Sequence, residues 1–409
     1  MNYQELKEQF NTPLYLYDED KILATMKDYK ENFISHKFKT KVLYASKALS
    51  IIYIYKLCEQ MGLHADVVSE GEIYTALKAK MDPTHLYFHG NNKTKNELSY
   101  AIKNGVKHIV IDSLDDAKNI LEVAQKENKV INALIRLNVG VEAHTHKFIV
   151  TANIDSKFGV LLDSTELKEI LDLINNSKFI KLEGFHSHIG SQIMEMEGFY
   201  AAIDKLLAYV KTFPHPLALN IGGGFAARYV KEDKPVEVKM VAKNLVRYVE
   251  NKLDELNLSI TELMIEPGRS VVCEAGSTLY TIGNLKQTPH RKYYFIDGGM
   301  TDNIRPALYQ AKYDAFIVGK EKKAKEELVT IAGKCCESGD IIIEDIMLPE
   351  AKAGDLLVVK STGAYGYSMA SNYNKALRPA VVFVNGNEAK LVVKRQTLND
   401  LIGGEIDEI

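Results

Sequence analysis

The chain has 409 residues, with 51 lysines and arginines against 54 aspartates and glutamates, and a net charge of -3. This balance offers no broad basic surface, so nucleic acid is not an expected partner. The start, Met1–Lys7, lacks the apolar core of a signal peptide, and no later run approaches the apolar length that spans a bilayer. We therefore expect a cytoplasmic protein that is long enough for a barrel and a second domain.

The N-terminal residues read as a short polar helix, a strand at Pro13–Tyr17 and a helix from about residue 21 to residue 33. Strand-like and helical segments then alternate. Each of eight compact strand-like runs precedes a segment of helical composition. The runs are Val42–Tyr44, Ala65–Val68, Leu86–His89, His108–Asp112, Asn132–Asn138, Leu182–His188, Ala218–Ile221 and Leu263–Glu266.

The alternation predicts a closed (β/α)8 TIM-type barrel, which we place at residues 30–275. A doubly wound open sheet is the competing α/β fold, but it would place a glycine-rich turn early rather than after the seventh strand. Chemically distinctive residues follow or finish strands, as expected of a barrel whose reactive groups collect at the carboxyl ends of its strands. They are Lys47, Asp66, His89, His188, Gly222–Gly224 and Glu266.

After about Gly276 the pattern changes to short β-rich runs separated by Gly, Pro and Asn. We predict a second, mainly β domain of residues 276–409 together with residues 1–29, joined by the N-terminal strand. Its predicted strands include Thr278–Ile282, Tyr293–Ile296, Val329–Ile331, Asp355–Val359 and Ala380–Val384.

The cysteines do not predict a structural metal site or a disulfide framework. Cys58, Cys273, Cys335 and Cys336 show no Cys-x-x-Cys pair, and four are too few for a disulfide scaffold in a chain of this size. In the connection Val139–Phe158, three alternating residues could bind a metal, but no further ligand is evident and Lys147 is adjacent. These residues are Glu142, His144 and His146. We interpret the connection as an ordered loop over the barrel mouth and predict no metal.

Lys47 stands near the end of a β-prone run, where an ammonium group is costly to bury without a reason. A lone lysine there is most simply explained as a side chain that reaches water. Three later motifs favour another explanation, because they supply an aromatic plate, a backbone cradle and a carboxylate with an arginine. A pyridoxal phosphate (PLP) site needs these parts around its lysine. The motifs are His186–Gln192, Asn220–Phe225 and Glu266–Arg269.

The glycine run Gly222–Gly224 offers backbone N–H groups that can approach a phosphate without Cβ interference. Three glycines can also form only a tight turn, but barrel enzymes often bind phosphate after strands seven and eight. His188 is either a satisfied core histidine or a ring that packs on the pyridine, with Ser191 reaching the phosphate.

The motif that begins at Glu266 has the more specific predicted role. An ionised carboxylate beside the pyridine nitrogen keeps the nitrogen protonated and makes the ring an electron sink. Pro267 and Gly268 fix the turn, and the planar Arg269 suits a carboxylate or a phosphate. Asp66, at the end of the second predicted strand, is also assigned to the cofactor.

Three motifs stand out in the second domain. Each taken alone has a stronger structural explanation: a turn, a buried thiol and a loop tyrosine. They are Arg305–Tyr309, Cys335–Asp340 and Gly363–Gly366.

Taken together, these motifs closely resemble the diaminopimelate decarboxylase family of PLP-dependent decarboxylases, which share the alanine-racemase type of barrel. The resemblance runs over nearly the whole chain, and the quoted positions do not depart from the family pattern. The match of Tyr44–Lys47 implies that Lys47 binds PLP covalently. The resemblance also implies that His188 stacks on the ring, that Ser191 and Gly222–Gly224 hold phosphate, and that Glu266 pairs with the pyridine nitrogen.

The resemblance assigns substrate roles as well. Arg269, Arg305 and Tyr309 correspond to the residues that bind a substrate carboxylate, and Glu337 to the partner of the distal amine. Tyr365 corresponds to the tyrosine that contacts both cofactor and substrate, and Cys336 to the proton donor. In that family a homodimer shares its active sites, and the loop with this cysteine and glutamate comes from the other subunit.

The implied activity is decarboxylation of meso-2,6-diaminopimelate to L-lysine and carbon dioxide, the last step of lysine biosynthesis by this route. Decarboxylases of ornithine, arginine or carboxynorspermidine are the nearest alternatives. Ornithine and arginine have no second amino-acid centre that would need two arginines and a tyrosine, and carboxynorspermidine differs in length and charge spacing. Alanine racemase would favour an arginine in place of Glu266. A non-catalytic PLP carrier would be a single domain.

Overall fold

The computed structural model describes residues 2–141 and 155–406 and divides into two compact units. The barrel unit comprises Leu23–Ala226 and Pro235–Ser270. The sheet unit comprises Met1–Ile22, Ala227–Lys234 and Val271–Ile409. The units group residues 23–29, 227–234 and 271–275 differently from the domain limits that we predict from the sequence.

Eight parallel strands form the barrel, and the predicted order of strands along the chain is confirmed. The last strand pairs with the first, with Glu262 opposite Lys39 and Ile265 opposite Val42, so the sheet closes. This closure rules out the open doubly wound sheet. The strands are Lys39–Ala45, His64–Val67, Leu86–Phe88, His108–Ile111, Ile131–Asn138, Ile180–His186, Ala218–Asn220 and Glu262–Ile265. A short strand, Val160–Leu161, also pairs with the fifth barrel strand.

Helices follow the barrel strands, and several begin at a side chain that caps the first turn. Ser69, Ser113 and Ser164 each accept a hydrogen bond from a first-turn amide, and Thr94 forms a capping box with Glu97. The helices are Glu19–Asn32, Ile52–Met61, Glu70–Lys78, Lys95–Lys103, Leu114–Lys126, Thr165–Asn175, Glu197–Val210 and Val238–Leu256, with short 3-10 turns at Ser46–Ala48 and Pro83–His85.

Side chains fill the inside of the barrel, so it is a packed core and not a pore. One buried cluster takes residues from six of the eight strands. Its members are Leu43, Tyr87, Val110, Leu134, Ala218 and Met264. Because this apolar cluster fills the barrel interior, polar functional residues are expected at the ends of the strands.

The sheet unit is built on a nine-stranded, mostly antiparallel sheet. The N-terminal strand lies inside it, with Leu14 opposite Leu279 on one side and opposite Ala380 on the other, which confirms that this strand joins the C-terminal domain. The strands are Leu14–Asp18, Gly276–Gln287, Lys292–Ile296, Ala315–Ile317, Glu327–Ala332, Ile341–Leu348, Leu356–Lys360, Ala380–Asn385 and Glu388–Val393. Further helices are Tyr3–Phe10, Arg269–Val272, Arg305–Tyr309 and Leu398–Ile402, with 3-10 turns at Tyr367–Met369 and Tyr373–Lys375.

The five strands predicted for the C-terminal part are present, and three further strands are not predicted from the sequence: Ala315–Ile317, Ile341–Leu348 and Glu388–Val393. The strand Ile341–Leu348 carries two adjacent acidic residues, and Asp345 has a positive φ of 54° where the pairing register shifts. An irregularity of this kind interrupts the alternation by which a strand is found in a sequence.

Two further expectations concern the connection after the fifth strand and the membrane. Glu142, His144 and His146 lie outside the described residues, so the ordered loop remains a prediction. Within residues 2–141 and 155–406, no helix has both the length and the apolar character needed to cross a membrane.

Candidate active site

Five of the predicted positions lie at the same end of the barrel. All eight strands are parallel, so their carboxyl ends meet at one mouth. The positions stand at the ends of five different strands or just beyond them. They are Lys47 in the turn after the first strand, Asp66 in the second, His188 beyond the sixth, Gly222–Gly224 after the seventh and Glu266 after the eighth.

The Glu266 carboxylate is buried among three polar side chains that belong to three other strand ends. Asn220 Nδ2 donates a 2.7 Å hydrogen bond to Oε1. His186 Nε2 lies 3.2 Å from Oε2, and His89 Nε2 lies 3.1 Å from Oε1. A buried carboxylate is costly unless donors surround it, and this arrangement supplies them.

The surroundings of Glu266 keep it ionised. Burial alone raises the pKa of a carboxyl group, but the charge of His89 and the hydrogen bonds of His186 and His89 hold the pKa of Glu266 well below its usual range. Burial lowers the pKa of His186 to about 4, against the opposing effect of Glu266. His186 is therefore a neutral ring near pH 7 that donates through Nε2 to an anionic carboxylate.

His89, His186 and Glu266 are also the one group of potential metal ligands in the described part of the chain, with donor atoms all within 4.8 Å of one another. Each histidine Nε2 already faces a carboxylate oxygen, so an ion would have to displace these contacts. The mutual contacts account for the cluster without a metal.

Lys47 and Asp66 place an exposed amine and a buried carboxylate at this mouth. Asp66 Oδ1 is buried and has no hydrogen-bond donor among the described residues. Burial raises the pKa of Asp66, and the charge of Glu266 acts in the same direction, while the charges of His89, Lys47 and Arg136 oppose the rise. The Lys47 ammonium is therefore close enough to Asp66 to affect the pKa of its carboxyl group.

The glycine run lies against two neighbouring strand ends so closely that side chains are excluded. A Cβ on Gly222, whose φ is 69°, would lie 2.6 Å from the Ser187 carbonyl oxygen. A Cβ on Gly223 would overlap the carbonyl of Glu266, and one on Gly224 that of Gly190. The Gly224 N–H has no hydrogen-bond acceptor among the described residues. The run therefore forms a bare backbone cradle with a donor available to an anion.

His188 presents a neutral ring beside this cradle. The Gly223 N–H donates to His188 Nδ1 over 3.2 Å, which requires an unprotonated Nδ1. Burial, together with the charges of Lys47 and Arg136, lowers the pKa of His188 well below its usual range. A neutral, flat ring suits stacking on an aromatic cofactor.

The turn after Glu266 is held on the first barrel strand. The Ala45 N–H donates to the Pro267 carbonyl oxygen over 3.1 Å, and the Gly268 backbone packs against Ala45. Arg269, which is only 6% exposed, donates through Nη2 to Ser191 Oγ over 2.9 Å. The structure thus joins two residues that are predicted for cofactor phosphate or substrate carboxylate.

These groups fit PLP. The cradle offers an amide to a phosphate, His188 offers a neutral ring face, Glu266 offers an anion to a pyridinium nitrogen and Lys47 offers an amine for covalent attachment. Their positions at the ends of four different strands agree with a site built from loops at one barrel end.

In the sheet unit, Arg305 lies in an aromatic cage. Its Nε donates to the Tyr313 hydroxyl over 3.0 Å. The guanidinium carbon lies 5.4 Å from the ring centroids of Tyr309 and Tyr365 and 5.5 Å from that of Tyr229. This packing fixes the plane of the guanidinium, which is what bidentate recognition of a carboxylate needs.

The loop that carries Cys336 and Glu337 is separate from this cage. Both residues are exposed. The Cys336 N–H donates to Asn374 Oδ1 over 2.9 Å, and Glu337 Oε1 accepts from the Gly339 N–H over 3.4 Å. Among residues 2–141 and 155–406, no hydrogen bond or ion pair joins Cys336 or Glu337 to Arg305. The fold brings Arg305, Tyr309 and Tyr365 together but leaves the Cys336 and Glu337 side chains exposed, away from this cage.

Sequence reasoning did not assign roles to five residues of these clusters: His89, His186, Asn220, Tyr229 and Tyr313. A signal existed for three of them, and the first is His89, which ends a predicted strand at the barrel end where the other distinctive residues collect. His186 stands two positions before His188, and Asn220 two before Gly222, the spacing that puts residues on one face of a strand. The two tyrosines carried no such signal.

Comparison with known proteins identifies relatives over nearly the full length. The family model "Pyridoxal-dependent decarboxylase, pyridoxal binding domain" matches residues 19–273. The diaminopimelate decarboxylase of Bacillus subtilis (strain 168) is 45% identical over 403 residues, covering 97% of this chain and 92% of the relative. That of Staphylococcus aureus (strain COL) is 44% identical over 405 residues, covering 98% and 95%.

Solved structures give the same result. The diaminopimelate decarboxylase of M. jannaschii, in co-complex with L-lysine, has a TM-score of 0.90 at 33% identity, covering 98% of this chain and 94% of its own. The Helicobacter pylori enzyme complexed with L-lysine has a TM-score of 0.89 at 31% identity, covering 99% of both chains.

Proposed function

The chain belongs to the diaminopimelate decarboxylases, a family of pyridoxal-dependent decarboxylases, and from this we propose that it converts meso-2,6-diaminopimelate to L-lysine and carbon dioxide. It is a PLP-dependent carboxy-lyase. The proposed reaction is the last step of lysine biosynthesis by the diaminopimelate route. The observation that carries the proposal is the buried, ionised Glu266 at the barrel mouth that also bears Lys47.

When bound, PLP supplies an electron sink for the electron pair that the departing carboxylate leaves on carbon. Glu266 has the task of holding a proton on the pyridine nitrogen. His186, Asn220 and His89 keep Glu266 anionic and fix its oxygens. An arginine at this position would oppose that proton, which argues for a decarboxylase over a racemase.

The remaining barrel residues position the cofactor. Lys47 would hold it covalently through its side-chain amine. His188 would stack on the face of the ring, and Ser191 and Gly222–Gly224 would hold the phosphate, for which the Gly224 N–H has no competing acceptor among the described residues. Asp66 contributes a buried carboxylate to the same mouth, and Pro267 and Gly268 set the turn that aims Glu266.

We assign binding of the substrate's second amino-acid centre to four residues. Arg269 and Arg305 bind its carboxylate with Tyr309, and Glu337 binds its amine. The aromatic cage of Arg305 supports this assignment, because it orients a guanidinium without neutralising it. Tyr365 contacts both cofactor and substrate, and Cys336 delivers the proton that replaces the carboxylate.

We further propose a cytoplasmic homodimer in which Cys336 and Glu337 complete the active site of the other subunit. Both side chains are exposed; the Cys336 N–H donates to Asn374, and the Glu337 carboxylate accepts from the Gly339 N–H of its own loop. An exposed thiol and carboxylate that resemble catalytic residues are explained by a second chain. The two relatives solved with L-lysine support a small-molecule amino-acid ligand.

One assay tests the activity. Carbon dioxide release should be measured from purified, PLP-loaded protein with meso-diaminopimelate and, as separate substrates, L,L-diaminopimelate, ornithine, arginine and carboxynorspermidine. We expect release from meso-diaminopimelate with L-lysine as the product. Preference for ornithine, arginine or carboxynorspermidine would replace the proposed substrate, and racemisation without release would contradict a decarboxylase.

A further inference from the structure

We infer that Asp340 is a positioning residue that fixes the loop of Cys336 and Glu337 to the turn preceding Arg305. The functional meaning of this inference rests on the roles proposed above for those three residues. The structural part of the inference does not depend on those roles, because it concerns only contacts within the sheet unit.

The Asp340 side chain bridges two segments of the chain. It is 2% exposed, and its Oδ1 accepts a 2.6 Å hydrogen bond from the Met300 N–H. Its Oδ2 accepts a 2.8 Å hydrogen bond from the Cys335 N–H, and the Cys335 thiol is a further hydrogen-bond partner. One carboxylate therefore joins the residue next to Cys336 to the turn at Met300.

Backbone contacts reinforce this bridge at both ends of the loop. The Gly333 N–H donates to the Asp340 carbonyl oxygen over 2.9 Å, and the Asp340 N–H donates to that of Glu337 over 3.1 Å. The Lys334 N–H donates to the Gly298 carbonyl oxygen over 3.0 Å. The loop is thus closed on itself and attached to the neighbouring turn.

The carboxylate fills a space that main chain encloses. A Cβ on Gly299 would lie 2.5 Å from Asp340 Oδ2, and one on Gly333 would overlap the same oxygen. A longer side chain than aspartate has no room here. Two glycines that each lie against this one carboxylate indicate that its position is specified closely.

The turn reached by Asp340 leads directly to the arginine. The Gly299 carbonyl oxygen accepts from the N–H groups of Asp302 and Asn303, over 2.9 and 3.1 Å. Asn303 Oδ1 accepts from the Arg305 N–H over 3.4 Å. A short, hydrogen-bonded path therefore connects Asp340 to Arg305, so the spacing between Arg305 and the Cys336 loop depends on this carboxylate.

The chemistry of the site requires an acid rather than an amide. No ion pair to Asp340 is present in residues 2–141 and 155–406, so attraction to a cation does not explain the buried carboxylate. Both oxygens accept from main-chain N–H groups. An asparagine has the same shape, but its NH2 would face one of those N–H groups, and a buried donor would lose its acceptor.

Asp340→Asn is therefore the test, and Asp345→Asn is the matched control, because Asp345 is exposed on the next strand. The first measurement is the rate at which iodoacetamide alkylates Cys335 and Cys336, followed by peptide mass spectrometry. Because a buried hydrogen bond is lost, the loop should open more often. The alkylation rate of the half-buried Cys335 should therefore increase by about tenfold or more. In the control variant, Cys335 and Cys336 should be alkylated at the wild-type rate. An unchanged rate in Asp340→Asn would overturn the inference.

The second measurement uses the PLP-loaded enzyme. Asp340→Asn should keep its PLP content while kcat/KM for meso-diaminopimelate falls by about tenfold or more. Asp340→Ser, which is smaller and keeps one acceptor, should show the same pattern and replaces the asparagine variant if that one does not fold. Loss of PLP in parallel with activity would indicate general damage and contradict a positioning role.

Subunit mixing separates this inference from the proposed activity. Asp340→Asn mixed with Lys47→Ala should recover activity, because one site then has an intact lysine and an intact loop, whereas Asp340→Asn mixed with Cys336→Ala should not. Recovery in the second mixture would show that Asp340 does not act through the Cys336 loop. If wild-type protein releases no carbon dioxide, the proposed function fails, and the alkylation rates still decide the role of Asp340.

Discussion

The side-chain amide of Asn220, at the end of the seventh barrel strand, donates a 2.7 Å hydrogen bond to Oε1 of Glu266, which follows the eighth strand. With His186 on Oε2, this contact leaves the carboxylate little freedom to rotate or to take up a proton. The geometry therefore favours an ionised Glu266, as its proposed role beside the cofactor nitrogen requires.

Glu266→Gln should therefore lower kcat by about 100-fold or more, the usual scale for losing a group that holds a proton in place, while much of the PLP remains bound. The measurement is steady-state carbon dioxide release at matched PLP content. Glu274→Gln, a partly exposed carboxylate, is the control and should stay near wild type. Wild-type turnover in Glu266→Gln would exclude the pyridine-nitrogen role.

Stability should fall as the pH drops from about 6.5 to about 4, because burial lowers the pKa of His186 to about 4. In this pH window His186 is protonated in the unfolded chain but neutral in the folded chain. The free energy of unfolding therefore rises with pH. For this one residue the difference amounts to about 3 kcal/mol at most.

The check is a series of urea midpoints between pH 7 and pH 4 for wild type and His186→Asn, with His36→Gln, an exposed histidine, as the control. The pH slope of the unfolding free energy should be shallower in His186→Asn alone. An unchanged slope in that variant would contradict the neutral, buried state of His186.

Lys47→Ala should lose covalent attachment of PLP. Borohydride reduction of the wild-type enzyme should leave a pyridoxyl mass on the peptide that contains Lys47, since an imine to this amine is the bond that is reduced. Lys56→Ala, which removes an exposed helical lysine, should label like wild type. If Lys47→Ala retained a pyridoxyl group on another lysine, covalent attachment of PLP would be assigned to that lysine instead.

A mixture of Lys47→Ala and Cys336→Ala subunits should recover activity, although each variant alone is inactive. In a dimer with shared sites, each heterodimer has one site with both residues intact, and an equal mixture should approach about a quarter of wild-type activity. Subunit exchange should be verified by native mass spectrometry. No recovery after complete exchange would place Cys336 in the active site of its own chain.

Glu337→Gln should lower kcat/KM for meso-diaminopimelate by about 2–4 kcal/mol of transition-state binding, the cost of breaking a desolvated charge pair. Its PLP content should be unchanged, because Glu337 is assigned to the substrate amine. The matched variant Glu326→Gln alters an exposed carboxylate elsewhere in the sheet unit and should have no effect. Loss of PLP with unchanged substrate preference would instead assign Glu337 to the cofactor.

Much of the barrel could be predicted from the sequence because its signals are local. Alternating strand-like and helical segments predict parallel strands, and parallel strands in a closed barrel put their carboxyl ends at one mouth. The positions of Lys47, Gly222–Gly224 and Glu266 at that mouth follow from their places in the sequence alone. Their roles came from the family resemblance, since neither a lysine nor a glycine run is specific by itself.

The partners of these residues were decided only by the tertiary structure. His89 follows the third strand and reaches Glu266 after the eighth, and this contact depends on barrel closure and register, which no local pattern records. Tyr229 lies in a segment between barrel strands yet packs on Arg305 in the sheet unit. Side chains far apart in sequence meet wherever the packed elements bring them, so the network that keeps Glu266 ionised and the cage that orients Arg305 appear only once the chain has folded.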